Sequence, residues 1–260
     1  MADWLQSLPV RWMALVIFGI TYLVAAGILL AVRALMAGER AHGLRGLSPG
    51  MLPPLGIIFG LFVAFIAAQV WGDIERANAA LNREASALRT VVLLSASFPG
   101  EPEARLRELM RRHIDEAVAH EWSQMAQHSA TLKVVPASLG EGLHVALALT
   151  PHGDGQIAAQ REIVEALEVA LDARRQRIVV SQSSVNGVKW SCLYLQALCM
   201  LIAIALVHAD SRGAAAVAMF LFATGVAISI LLIASHDRPF TGEIAVGPDL
   251  LKQVMPESTR

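Results

Sequence analysis

The chain has 260 residues, of which 55% are hydrophobic and 17% charged, with a mean hydropathy of +0.52. A soluble chain carries about 25% charged residues, so this composition belongs to a membrane protein and excludes disorder, a collagen-like repeat and a disulfide scaffold. The net charge of −1 offers no basic excess to neutralise phosphates, which excludes nucleic acid as a partner.

A helix needs about 20 apolar residues to cross a bilayer, because each residue rises about 1.5 Å. The first uncharged block that meets this length is 12–31. It is too long for a signal-peptide core and is preceded by Asp3 and Arg11, so it reads as a retained anchor. The second block is 51–72, with Gln69 as its one strongly polar side chain. Small residues recur there every four positions, at Gly56, Gly60, Ala64, Ala68 and Gly72, which forms a stripe suited to close helix packing. Ile58, Phe62, Phe65 and Gln69 fall on another stripe. These bulky groups either face lipid and the bundle, or form rings around a dewetting constriction in an oligomer.

Residues 73–189 hold most of the charge and read as a helical extramembrane domain. Ile74, Ala77, Leu81, Leu88 and Val91 form a near-heptad seam interrupted by Glu84, and no breaker separates it from the second span. One long helix is therefore expected, ending near Phe98-Pro99-Gly100. Pro102 and Glu103 suit the first turn of the next helix, whose buried stripe is Leu106, Leu109, Met110, Ile114, Ala117, Trp122 and Met125 and which should stop before Pro136. His113, Glu116 and His120 share a face of it and resemble half of a metal site. A second helix would have to supply the missing ligands, so the expectation is a solvated face and no metal. A short helix over 138–149 and a turn at 151–155 follow. Ile163, Leu167, Ala170, Leu171, Arg174 and Ile178 mark the last helix of the domain, and 181–187 reads as a bend. Arg105, Arg107, Arg111 and Arg112, with Arg174, Arg175 and Arg177, could line an anion path. Interleaved acids such as Glu108 and Asp115 favour an ordinary mixed-sign surface instead.

The third and fourth apolar blocks are 190–207 and 213–235. Trp4, Trp12, Trp71 and Trp190 stand at span ends, where an indole prefers the headgroup interface. Cys192 and Cys199 share one helix and cannot bridge each other. Four spans place both termini on one side. Lys and Arg are more frequent on the side of Arg11, Arg76, Arg174 and Lys189 than on the side of Arg33, Arg40, Arg45 and Arg212, which favours a cytosolic N-terminus and helical domain, although the short first loop pulls the other way. After the last span, Asp237, Arg238, Pro239, Phe240, Gly242 and Glu243 combine an acid, an arginine, a helix stop and an aromatic. That tail should fold back and dock.

The expectation is thus an all-α, polytopic membrane protein. Residues 1–72 carry two spans, 73–189 the helical domain, 190–235 two further spans and 236–260 the docked tail. No phosphate loop, nucleophile signature or dinucleotide fingerprint occurs, so neither an enzyme nor a cofactor is expected. Gly60 to Phe65 continuing to Gln69-Val70-Trp71, then Glu84-Ala85 with Leu88-Arg89, then Arg174-Arg175 with Arg177, and the tail Asp237-Arg238-Pro239-Phe240 with Gly242-Glu243-Ile244, resemble a bacterial family of membrane proteins known as bestrophin-like. The resemblance covers about 55–251. It implies similarity to bestrophins, which are pentameric anion channels with two spans, a cytosolic helical domain and two more spans. On that footing the chain is expected in the bacterial inner membrane as a homo-oligomer, with the bilayer and small inorganic anions as its partners. The alternative is a non-conducting membrane scaffold or sensor whose helical domain binds another protein.

Overall fold

The computed structural model describes residues 8–36, 48–133 and 135–257. Trp4, Arg40 and Arg45 lie outside them. The elements are α1 (Val10–Met36), α2 (Leu52–Ser95), α3 (Glu101–Glu116), a π-helical turn (Ala117–Glu121), α4 (Trp122–Ala126), α5 (Ala137–Ala148), α6 (Asp154–Ser181), α7 (Gly187–Val207), α8 (Arg212–His236) and α9 (Asp249–Gln253). No strand occurs among the described residues. Helices α1, α7 and α8 and the helical stretch Pro49–Ser95 that contains α2 are long and apolar enough to cross a membrane. The chain is an all-α integral membrane protein.

Each span extends somewhat beyond its uncharged block, for reasons written at its ends. Helix α1 starts directly after Pro9, whose carbonyl accepts the amides of Trp12 and Met13. Asn186 caps α7 by accepting the Lys189 amide at 2.9 Å, and Ser211 caps α8 by accepting the Ala214 amide. Helix α2 has 44 residues, about twice what a bilayer requires. It ends before a turn in which Gly100 takes φ +97°, a conformation that a side chain would strain.

The chain divides into two compact units. The membrane unit holds α1, the first part of α2, α7 and α8. Its interior is Met13, Ile17, Phe59, Ile66, Val70, Leu193, Val226 and Ile230 at one level, and Ala25, Leu201, Met219 and Ala223 at another. Tyr22 and Thr224 hydrogen-bond through their hydroxyls at 3.0 Å, and Tyr22 stacks on Phe220. Trp190 stands at a span end as expected, yet it is only 3% exposed and packs into this interior.

The helical unit is built from the rest of α2 with α3 to α6, α9 and most of the tail. Its core contains the expected seam residues Ala77, Leu81, Leu88 and Val91 and the expected stripes Leu106, Leu109, Met110, Ile114 and Ile163, Leu167, Ala170, Ile178. Gly142 of α5 sits against Met110 and Leu167, and an added Cβ would lie 3.3 Å from the Met110 methyl, so only a hydrogen fits without displacement.

Candidate functional site

On α2 the buried side within the membrane unit is Phe59, Ile66 and Val70, with Phe62 and Val63 partly covered. The open side carries Ile57, Ile58, Gly60, Leu61, Ala64, Phe65 and Ala68. Of the proposed pore stripe, Ile58 and Phe65 are 55% and 66% exposed. Phe62 and Gln69 lie at the border of the buried side, consistent with a turn of about 100° per residue. Of the small-residue stripe, Gly56 meets Met200, while a Cβ on Gly60 would have no heavy atom of the described residues within 4 Å. Within one chain, then, Phe59, Ile66 and Val70 pack, while Ile58 and Phe65 remain open together with Gly60, Ala64 and Ala68. Below Phe65, Gln69 Oε1 accepts a hydrogen bond from the Lys189 ammonium on α7.

The tail also contributes to the membrane unit. Asp237, at the end of α8, is buried, and its Oδ1 accepts the Val185 amide at 2.6 Å, which fixes the bend before α7. Gly242 turns the chain with φ +95°, and Glu243 Oε2 accepts the Val10 amide, placing a carboxylate at the positive end of α1.

In the helical unit the core is crossed by charge. Glu84 and Arg177 are both 0% exposed and form two hydrogen bonds, Nε to Oε2 at 2.8 Å and Nη2 to Oε1 at 3.1 Å. Arg177 also donates to Glu121 at 2.9 Å, Arg174 donates to the other Glu121 oxygen at 2.7 Å, and His113 Nε2 lies 2.9 Å from Glu84 Oε1. Two carboxylates therefore face two guanidiniums. Burial alone would raise the Glu84 carboxyl, but Arg177 and His113 override it and hold it at about 2. The Arg177 guanidinium lies 4.7 Å above the Trp122 ring, a cation–π contact, and that ring meets Phe240 of the tail edge-on at 5.8 Å. Trp122 Nε1 donates to the Val246 carbonyl and Thr241 to the Ala126 carbonyl, so 238–241 and the residues from 245 onward are fastened to this unit. Asp237 and Phe240 are both buried, Asp237 in the membrane unit and Phe240 in the helical unit.

A family model described as Bestrophin-like domain matches residues 19–251. The chain belongs to the bestrophin-like family. No curated protein matches it. Among solved structures, two point variants of a bacterial bestrophin homologue from Klebsiella pneumoniae are similar to this bestrophin-like chain. One has a TM-score of 0.69 at 13% identity, covering 93% of this chain and 97% of that one. The other has a TM-score of 0.71 at 10% identity, covering 93% and 96%. A variant described as a membrane protein has a TM-score of 0.67 at 14% identity, covering 93% and 95%. At these identities the likeness is one of fold.

The structure corrects two expectations in the bestrophin-like chain's helical unit. His113 is not part of a solvated face: it is 1% exposed and bound to Glu84. Among the described residues no cluster with metal-binding geometry occurs. Arg174 and Arg177 are not surface charges either, because both are buried against Glu121 and Glu84. Two signals pointed that way. Glu84 occupies the seam position between Leu81 and Leu88, where a charge survives only if paired. The apolar stripe of α3 jumps five positions from Ala117 to Trp122, which is the spacing of a π-turn and not of an α-helix.

Proposed function

We propose that this bestrophin-like protein is a homo-oligomeric, anion-selective channel of the bacterial inner membrane, with its N-terminus and helical unit in the cytosol. The observation that carries the reading is the open side of the second span, which presents Ile58 and Phe65 outward while Phe59, Ile66 and Val70 hold the helix in its own bundle. A ring of such side chains from several copies would make a narrow apolar neck that excludes water and resists ions. Small residues beside it, Gly60, Ala64 and Ala68, leave room for a helix of the neighbouring copy to approach. The family resemblance supports the same assignment.

The test is electrical. Purified protein is sized by native mass measurement and reconstituted in a planar bilayer under a potassium chloride gradient. The expected result is an oligomer with a reversal potential displaced toward that of chloride, and larger currents for Ile58→Ala, Phe62→Ala and Phe65→Ala. A folded oligomer that stays silent, with and without these alanines, would overturn the channel reading in favour of a membrane scaffold.

A further inference from the structure

Among the described residues the Lys189 ammonium engages a neutral group. Its hydrogen bond goes to Gln69 Oε1 in a partly buried position at the end of the second span. Among the described residues no carboxylate forms an ion pair with it, and Asp237, the acid that joins the bend before α7, gives Oδ1 to the Val185 amide. With its oxygen accepting from Lys189, the Gln69 amide is left with its N–H donors, and the ammonium retains donors of its own. Trp190, the next residue of α7, is almost fully buried, and its indole N–H has no acceptor among the described residues. Two helices thus bring N–H donors and an ammonium to the same membrane end, where partial desolvation makes a charge without an ion-pair partner costly.

We propose that Lys189 and Gln69 form an anion-binding site. The chemistry that completes it is a small, hard anion able to accept several N–H donors: a halide from solution, or the phosphate of an anionic phospholipid headgroup. Lys189 supplies the charge, and Gln69 orients the ammonium and adds amide N–H donors. The site does not depend on conduction, so a protein that carries no current could still bind the anion.

Full-length protein in detergent, freed of phospholipid, is titrated with sodium bromide against sodium gluconate at constant ionic strength, and separately with phosphatidylglycerol, while thermal unfolding is followed. Wild type and Lys189→Arg should gain stability with saturable binding, and Lys189→Gln should bind at least about 10-fold more weakly, since a lost charge-assisted bond is worth more than about 1.4 kcal/mol. A response to bromide identifies a free anion. A response to phosphatidylglycerol alone identifies the headgroup. Equal responses in wild type and Lys189→Gln, or none to either probe, would overturn the site. Should Lys189→Gln fail to fold, bromide anomalous diffraction from wild-type crystals decides it: a bromide or a lipid phosphate beside Lys189 Nζ supports the site, and neither there removes it.

Discussion

The two units solve burial in opposite ways. In the membrane unit the interior is apolar and so is the exterior, with Leu23, Ile57, Phe65, Leu195 and Leu221 all exposed. In the helical unit the exterior is charged, and so is the centre of the core, where Glu84, Arg177, Glu121 and His113 meet. Surrounding lipid removes the hydrophobic drive between helices, so the membrane unit depends on fit, whereas the helical unit can hide a charge only by satisfying it.

That contrast ranks the effects of substitution. The largest belongs to the buried ion cluster. Arg177→Ala leaves Glu84 buried without its guanidinium, and should cost about 3–5 kcal/mol and abolish stable folding of the helical unit, as read by thermal unfolding and limited proteolysis. The triple replacement Glu84→Leu, Arg177→Met, His113→Leu removes charge from both sides and should be far milder than Arg177→Ala. If Arg177→Ala proved as mild as the triple, the cluster would not be what holds this core.

Next comes the tail. Phe240→Ala empties the space against Trp122 and should cost about 3 kcal/mol, with earlier protease cleavage after α8 as the second readout. The pH dependence is smaller over the usual range and has a definite sign. The folded Glu84 carboxyl sits near 2 against an ordinary 4.5, so its contribution is full above pH 4.5 and is lost as pH falls toward 2. Unfolding curves should show this acid loss in wild type and a weaker one in the triple replacement. The smallest effect is Phe65→Ala, which removes an outward side chain and should change subunit stability by no more than about 0.5 kcal/mol, while Ile66→Ala, one residue away and 3% exposed, should be clearly destabilising.

The same contrast explains what could be read from the sequence. The seam at Ala77, Leu81, Leu88 and Val91 and the stripe at Ile163, Leu167 and Ala170 are buried as their spacing requires, because water outside the helical unit makes periodicity report an inward face. Span existence was equally legible from length. Which side of α2 faces inward was not: Phe59 and Ile66 are as apolar as Ile58 and Phe65, and lipid gives them no reason to differ. The ion cluster was half legible. Glu84 at a seam position signalled a buried charge, but its counterpart Arg177 lies 93 positions away, and only the fold brings the two together. Lys189 meeting Gln69 across 120 positions is legible in no local pattern.

The account turns on what the open side of α2 faces, and thiol labelling decides it directly. In a Cys192→Ser, Cys199→Ser background, Phe65→Cys, Ile58→Cys and Ile66→Cys are reconstituted in liposomes and exposed to a charged, membrane-impermeant thiosulfonate or to a lipid-soluble maleimide. A neck that wets when the channel opens, and that a polar cysteine itself helps to wet, predicts that Phe65→Cys and Ile58→Cys react with the charged reagent and that Ile66→Cys does not. Labelling of Phe65→Cys and Ile58→Cys by the lipid-soluble reagent alone would place that side in the bilayer and contradict the channel.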